Sequence, residues 1–189
     1  MQRMFTQHCL ILFCLIFLSI TLYTKNSYGQ ILEVYLIGQQ MKGDYTTVLE
    51  QKLELSDNTA FGFGTGLNLD KFNLNIDFIF GSTVVRMNNK SLDSKLFFFD
   101  ANLDYSFFDC AVTPMVTAGI GSISFSDSFV QVKNLSETDF SYNIGFGLKY
   151  TFFDNYLVKG LYRATWTKLK ETDNSILFNG ISVDLGYVF

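Results

Sequence analysis

Catalysis at neutral pH usually recruits a histidine, and this chain has one, His8. It sits within the first 29 residues, which read as an export signal. Without a histidine after that segment, the chain lacks the general base of Ser-His-acid chemistry and the commonest metal ligand. No spacing of carboxylates points to a pair acting alone. The reading is therefore of a non-enzyme that needs no cofactor and no metal. The run Gly62, Gly64, Gly66 imitates a phosphate-binding loop. However, glycines two apart lie on one strand face, no helix follows them, and they serve to leave space. Cys9 and Cys14 fall in the export signal, and Leu12-Phe13 lack the small residues that a lipoprotein cysteine requires. Cys110 alone remains, so no internal disulfide can form. It falls in a predicted turn and is read as incidental rather than reactive.

The remaining chemistry is charge, placed at alternating positions. Glu33, Asp77, Asp100, Asp104, Lys149, Lys159, Arg163 and Asp184 all share the polar parity of segments whose other parity is apolar. The clearest segment is Phe72 to Phe80. Phe72, Leu74, Ile76, Phe78 and Phe80 alternate with Asn73, Asn75, Asp77 and Ile79, a period that excludes helix. The pattern recurs over 60–69, 96–107, 140–152, 156–167 and 177–189, and more weakly over 31–40 and 112–125. Outward residues in the two weaker segments are Leu32, Val34, Leu36, Val116, Ala118 and Ile120. Near Ser122 the phase slips, which suggests a bulge. This makes eight strands.

Three connections are short and carry an Asp suited to turns: Leu69-Asp70-Lys71, Phe108-Asp109-Cys110 and Phe153-Asp154-Asn155. Four are long and polar: 41–57, 82–94, 126–138 and 168–176. Val48–Leu55 also alternates. It is read as an outer extension of the second strand or part of a structured first loop, with a ninth strand as the alternative. Outward aromatics collect beside the short turns, among them Tyr105, Tyr150, Tyr156 and Tyr187, with Trp166 toward the other end. They are read as interfacial girdles.

Composition agrees with sheet. Of 189 residues, 48% are hydrophobic and 17% aromatic, with 21 Phe and a single Pro. Arg3 followed by the apolar run CLILFCLIFLSITL, and small residues at Ser27 and Gly29, predict a cleaved signal peptide over 1–29. The run is short for a membrane helix. The expected mature domain, 30–189, loses Arg3 and Lys25. It keeps 12 of the 14 basic residues against 18 acidic ones, with no basic patch for nucleic acid.

Several motifs resemble one family. Thr113-Pro-Met-Val-Thr-Ala-Gly-Ile-Gly121, Phe140-Ser-Tyr-Asn-Ile-Gly-Phe-Gly147 and Gly180 to Phe189 are similar to strands of the small OmpA/OmpX-like outer-membrane barrels. The closing Ile-Ser-Val-Asp-Leu-Gly-Tyr-Val-Phe ends on an aromatic, as such barrels do. The resemblance spans most of 31–189, with loose motifs and an unmatched first strand and loop. It implies an all-β, eight-stranded antiparallel up-and-down transmembrane barrel. Tyr187 and Phe189 would form the signal read by the barrel assembly machinery. The barrel would sit in outer-membrane lipid with both termini periplasmic.

Fold does not fix function. The leading expectation is a structural or surface-interaction barrel whose long loops meet a surface ligand or cell partner. The inward charges would then pair and plug a lumen that eight strands leave only wide enough for side chains. One alternative is a narrow channel for small or hydrophobic molecules. The other is a soluble lipocalin-like binder with the two faces exchanged.

Overall fold

The structure is a computed structural model, and it describes residues 32–43, 46–48, 51–55, 58–87, 90–108, 110–126, 138–153, 155–168 and 175–189. The predicted signal segment, the loop segments 127–137 and 169–174, and Asp109 and Asp154 lie outside them. The strands are β1 (Leu32–Gly43), β2 (Thr46–Val48), β3 (Gln51–Leu55), β4 (Asn58–Leu69), β5 (Phe72–Met87), β6 (Lys90–Ser106), β7 (Val112–Ser126), β8 (Thr138–Phe152), β9 (Tyr156–Lys168) and β10 (Ser175–Val188).

Eight of these close a barrel. Each of β4 to β10 pairs antiparallel with its sequence neighbour, and β1 pairs with both β4 and β10. Closure leaves no exposed edge along the barrel, so backbone groups find partners without water. The last step is sealed by the Phe189 amide, which donates to the Leu32 carbonyl at 2.8 Å.

The first loop settles the alternation at 48–55. β2 and β3 form a small hairpin, and β3 pairs with β5 through Leu53↔Met87 to Leu55↔Val85, just beyond the last β4 pair. It extends the second barrel strand outward and adds no ninth stave. The polar stretch 82–94, expected as a loop, is instead a continued ladder running from Ser82↔Lys95 to Met87↔Lys90. Polar residues occupy both parities of its described part, Ser82 and Asp93 exposed and Thr83 and Ser94 buried, which hides the strand period.

The short turns also differ in detail. Asp70 adopts φ 60°, the left-handed region an Asp tolerates, whereas in the third turn that position is taken by Phe153 at φ 48°. The connection at 107–111 is looser than a tight turn and is pinned by Thr113, whose hydroxyl donates to the Cys110 carbonyl at 2.6 Å. Cys110 itself is exposed.

The outward parity is free of charge from Leu69 to Phe61 on β4, Phe72 to Phe80 on β5 and Tyr105 to Phe97 on β6. The same holds on β8 from Phe152 to Phe140. That is nine residues on β4, β5 and β6 and thirteen on β8, enough for a tilted strand to cross a bilayer. Beyond it the outward side turns polar at Gln40, Thr59, Ser82, Lys95 and Ser124. The inward side does the reverse. Near the same height the interior gains an apolar cluster of Ile37, Met41, Ile79, Leu96, Phe98, Ile123, Phe125, Ile176 and Phe178, beside which Gln39, Asn58, Asp139, Ser141 and Thr167 stay buried and polar.

This inversion explains the apparent slip near Ser122. Its pairing is unbroken, with Ser122↔Phe99, Ile123↔Phe98, Ser124↔Phe97 and Phe125↔Leu96, and no bulge interrupts it. Ile123 and Phe125 stay on the inward parity. What changes is the medium outside the wall. In lipid the wall must be apolar outward; above lipid it behaves as a soluble barrel and buries its apolar side inward. Each such side chain contributes roughly 1.5–3 kcal/mol on burial. The expectation of a uniformly polar interior is corrected accordingly.

Three lysine substitutions read this inversion. Ile144→Lys, on the lipid face, and Ile123→Lys, inside the apolar tier, should each destabilise the refolded barrel by roughly 2–4 kcal/mol. Ser124→Lys, next to Ile123 but outward, should stay within about 0.5–1 kcal/mol of the parent. Urea unfolding in lipid vesicles measures all three. A neutral Ile123→Lys would remove the apolar tier.

Candidate functional site

All eight charged residues expected in the lumen point inward, and they occupy the half nearest the short turns. β5 and β6 carry a ladder of acids and amides directly opposite one another: Asp77↔Asp100, Asn75↔Asn102 and Asn73↔Asp104. Two carboxylates facing each other repel, so this pair needs a cation. Arg163, on β9 across the lumen, supplies it. Its Nη2 lies 3.2 Å from Asp77 Oδ2 and its Nη1 3.7 Å from Asp100 Oδ2. Asp77 is completed by the Tyr35 hydroxyl, which donates to Oδ1 at 2.6 Å, and by Asn102 Nδ2, which donates to Oδ2 at 2.7 Å.

A second cluster lies next to it. Glu33, fully buried, accepts from Lys149 at one oxygen and holds Lys159 at 2.8 Å from the other. Lys159 also reaches Asp104 at 3.5 Å, and Asn75 donates to the same Asp104 oxygen at 2.6 Å. The Lys159 ammonium lies 4.6 Å from the centre of the Tyr35 ring, linking the two clusters by a cation–π contact. Anions thus come mainly from β5 and β6, cations from β8 and β9. Asp184, on β10, lies within the belt without an ion pair of its own among the described residues.

The glycines make this possible. Gly64 and Gly66 on β4 oppose Asp77 and Asn75, and Gly121 and Gly119 on β7 oppose Asp100 and Asn102. A methyl at any of the four would overlap the side-chain oxygen opposite it. Sequence alone identified the Gly62–Gly66 run as space. What it missed is that the space is filled by an Asp and an Asn of the neighbouring strand.

The short-turn mouth holds a polar cavity of about 460 Å³, lined in part by Asn68, Ser106, Thr113 and Thr151, that reaches down to Lys149. Around that mouth the outward aromatics touch in series. Ring centroids are 5.5 Å apart for Tyr150–Phe152 and Phe152–Tyr156, 5.3 Å for Tyr156–Tyr187 and 4.9 Å for Tyr187–Phe189. Tyr105 joins Phe72 and Phe107 on the opposite wall. At the other end Trp166 stacks on Tyr142 at 5.4 Å. A patch of Phe63, Phe78, Phe80, Phe97 and Phe99, in pairwise contact over β4 to β6, extends the outer aromatics. Each of these residues was visible as outward, but their contact depends on register.

The family model described as an outer membrane protein beta-barrel domain matches residues 21–189. The chain belongs to that family. Its location is therefore the bacterial outer membrane, where barrels of this class keep short turns on the periplasmic side. Neisserial surface protein A, from Neisseria, has the same fold at a TM-score of 0.63 and 15% identity, over 84% of this chain and 97% of that one. OprG from Pseudomonas aeruginosa gives 0.60 and 12%, over 86% and 98%. The outer membrane enzyme PagL gives 0.53 and 19%, over 79% and 97%. No curated protein matches the sequence. The soluble lipocalin-like alternative is set aside by the family match and by the charge-free outward band.

In this outer-membrane barrel the belt makes a test of coupling possible. Lys159→Met leaves Glu33 and Asp104 short of a partner and should cost about 3–5 kcal/mol. Adding Glu33→Gln should restore a substantial part of that loss, which a double-mutant cycle on urea unfolding measures. Strictly additive effects would mean that the two groups do not interact.

Proposed function

We propose that this chain is a non-enzymatic outer-membrane barrel that acts through its outer loops, as a structural element and a surface contact for a ligand or another cell. The observation that carries this reading is the filled lumen. A belt of paired charges lies under a tier of packed apolar side chains, Phe98 and Phe178 among them at 5.7 Å. Such packing argues against a continuous water path. What stays accessible is the outer end, where β2, β3 and the long β5–β6 hairpin stand beyond the apolar band. Binding residues concentrate on loops held by a rigid scaffold. The absence of histidine from residues 30–189 supports the non-enzymatic reading. PagL shares the fold, and shared fold does not transfer activity.

Cells displaying the barrel with 126–138 and 168–176 shortened should lose adhesion or ligand capture while the barrel still shifts on heating in SDS gels. Lys159→Met should alter stability and leave capture unchanged. Capture that survives every loop deletion would refute the reading.

Phe189 belongs to the same proposal, as a residue read by the assembly machinery. Its backbone amide closes β1 to β10, and its side chain makes one described ring contact, with Tyr187. Replacing it with Ala should lower outer-membrane yield in cells several-fold and leave refolding into micelles nearly intact. Equal losses in both assays would make the residue purely structural.

A further inference from the structure

Where the wall leaves the lipid on its outer side, four strands turn polar together. Gln40 on β1 lies opposite Thr59 on β4, and Ser82 on β5 lies opposite Lys95 on β6. Thr59 and Ser82 directly follow Ala60↔Gly81, the last pair between β4 and β5. Beyond it β5 changes partner, and its register shifts by one residue to Leu55↔Val85 on β3. An offset of this kind bends a wall and re-aims its side chains, as a bulge does. A groove of about 630 Å³ opens there, lined by these four polar residues together with Asn58 and Asp93.

Two observations point to a ligand. The first is Asn58, which lines the groove at the head of β4 and is only 8% exposed. Neither the nitrogen nor the oxygen of its side-chain amide has a hydrogen-bond partner among the described residues. Folded proteins rarely leave a buried amide unpaired, because it has lost its water and gained nothing. The second is what lies directly below. One step toward the membrane the same strands carry Gly38, Phe61, Phe80 and Phe97 outward, and the next step carries Leu36, Phe63, Phe78 and Phe99. This aromatic face is continuous with the band that meets lipid, and Phe61 and Phe80 are exposed on it.

A molecule that fills both places is amphipathic, with acyl chains against the phenylalanines and a polar head in the groove. The lining selects the head. Its amides and hydroxyls offer donors and acceptors side by side, and its one ammonium, Lys95, is balanced in charge by one carboxylate, Asp93. A sugar answers that mixture, because each of its hydroxyls both donates and accepts. A bare phosphodiester only accepts, and it would meet the carboxylate as well as the ammonium.

We propose that the groove and the phenylalanine face beneath it form a binding site for one sugar-headed lipid of the outer leaflet. Asn58, Thr59 and Ser82 hold the sugar, and the acyl chains lie along β4 to β6. The site is in the wall and not in the loops, so it stands whether or not the loops meet another cell.

Native mass spectrometry tests this on the full barrel, released from non-ionic micelles that contain equal amounts of lipid A and phosphatidylglycerol. Both lipids carry phosphate and acyl chains, and only lipid A carries sugars. The wild-type barrel should retain a single lipid A in preference to phosphatidylglycerol. Asn58→Leu removes the unpaired amide at similar volume. It should leave the barrel folded, as read by its heat shift on SDS gels, and weaken lipid A retention about ten-fold, the effect of losing one hydrogen-bonding group. Ser124→Ala, outward on β7 and outside the groove, should behave as the parent. Should Asn58→Leu fail to fold, Ser82→Ala, at an exposed position, should still lower lipid A retention. Equal retention of the two lipids by the wild-type barrel would overturn the proposal, as would folded Asn58→Leu that retains lipid A as the parent does.

Discussion

Inside a bilayer a strand has no water to fall back on, and every polar group it carries must be partnered within the barrel. The rest of this molecule depends on that constraint. It forces the sheet to close, so that β1 pairs with both β4 and β10. It sends every charged residue of the membrane-spanning wall inward. It then requires that these charges meet. The meeting is arranged by register: β5 and β6 set acids and amides opposite each other, β4 and β7 set glycines beside them, and Lys159 and Arg163 reach across from β9.

The constraint ends where the lipid ends, and the wall changes its chemistry there. Outward Gln40, Thr59, Ser82 and Lys95 mark the change, and inward Leu96, Phe98, Ile123 and Phe178 answer it. One continuous ladder therefore holds two stabilising regimes. The periplasmic half relies on lipid outside and ion pairs inside; the outer half relies on water outside and an apolar core inside. On the proposed function the second regime also closes the lumen, which would suit a barrel that presents loops rather than one that passes solutes.

Much of this was legible in the sequence, because alternation is a local signal. Phe72 to Phe80 announces its two faces without knowledge of any other strand, and parity puts the charged residues on one shared face, which the resemblance to outer-membrane barrels makes the lumen. Partners were not legible. Glu33 and Lys149 lie 116 positions apart, and only the full strand order brings them together. The glycines of β4 could be read as space but not as space for Asp77 and Asn75. The errors fell where the medium changes. At 112–125 an intact ladder looked like a slip, because Ile123 and Phe125 are apolar on the inward parity. At 82–94 a ladder looked like a loop, because Ser82 and Asp93 on one parity and Thr83 and Ser94 on the other leave no apolar alternation. Parity reports a strand only when its two sides meet different media.

The central claim is that the lumen is sealed by paired charges and an apolar tier, and planar-bilayer recording tests it most directly. Purified barrel, inserted and held under voltage, should show no steady single-channel steps. Substituting the seal, as in Phe98→Ala with Phe178→Ala, should let steps appear. Steady conductance of the wild-type protein that shifts on Lys159→Met or Arg163→Met would contradict the account, because ions would then be passing through the belt.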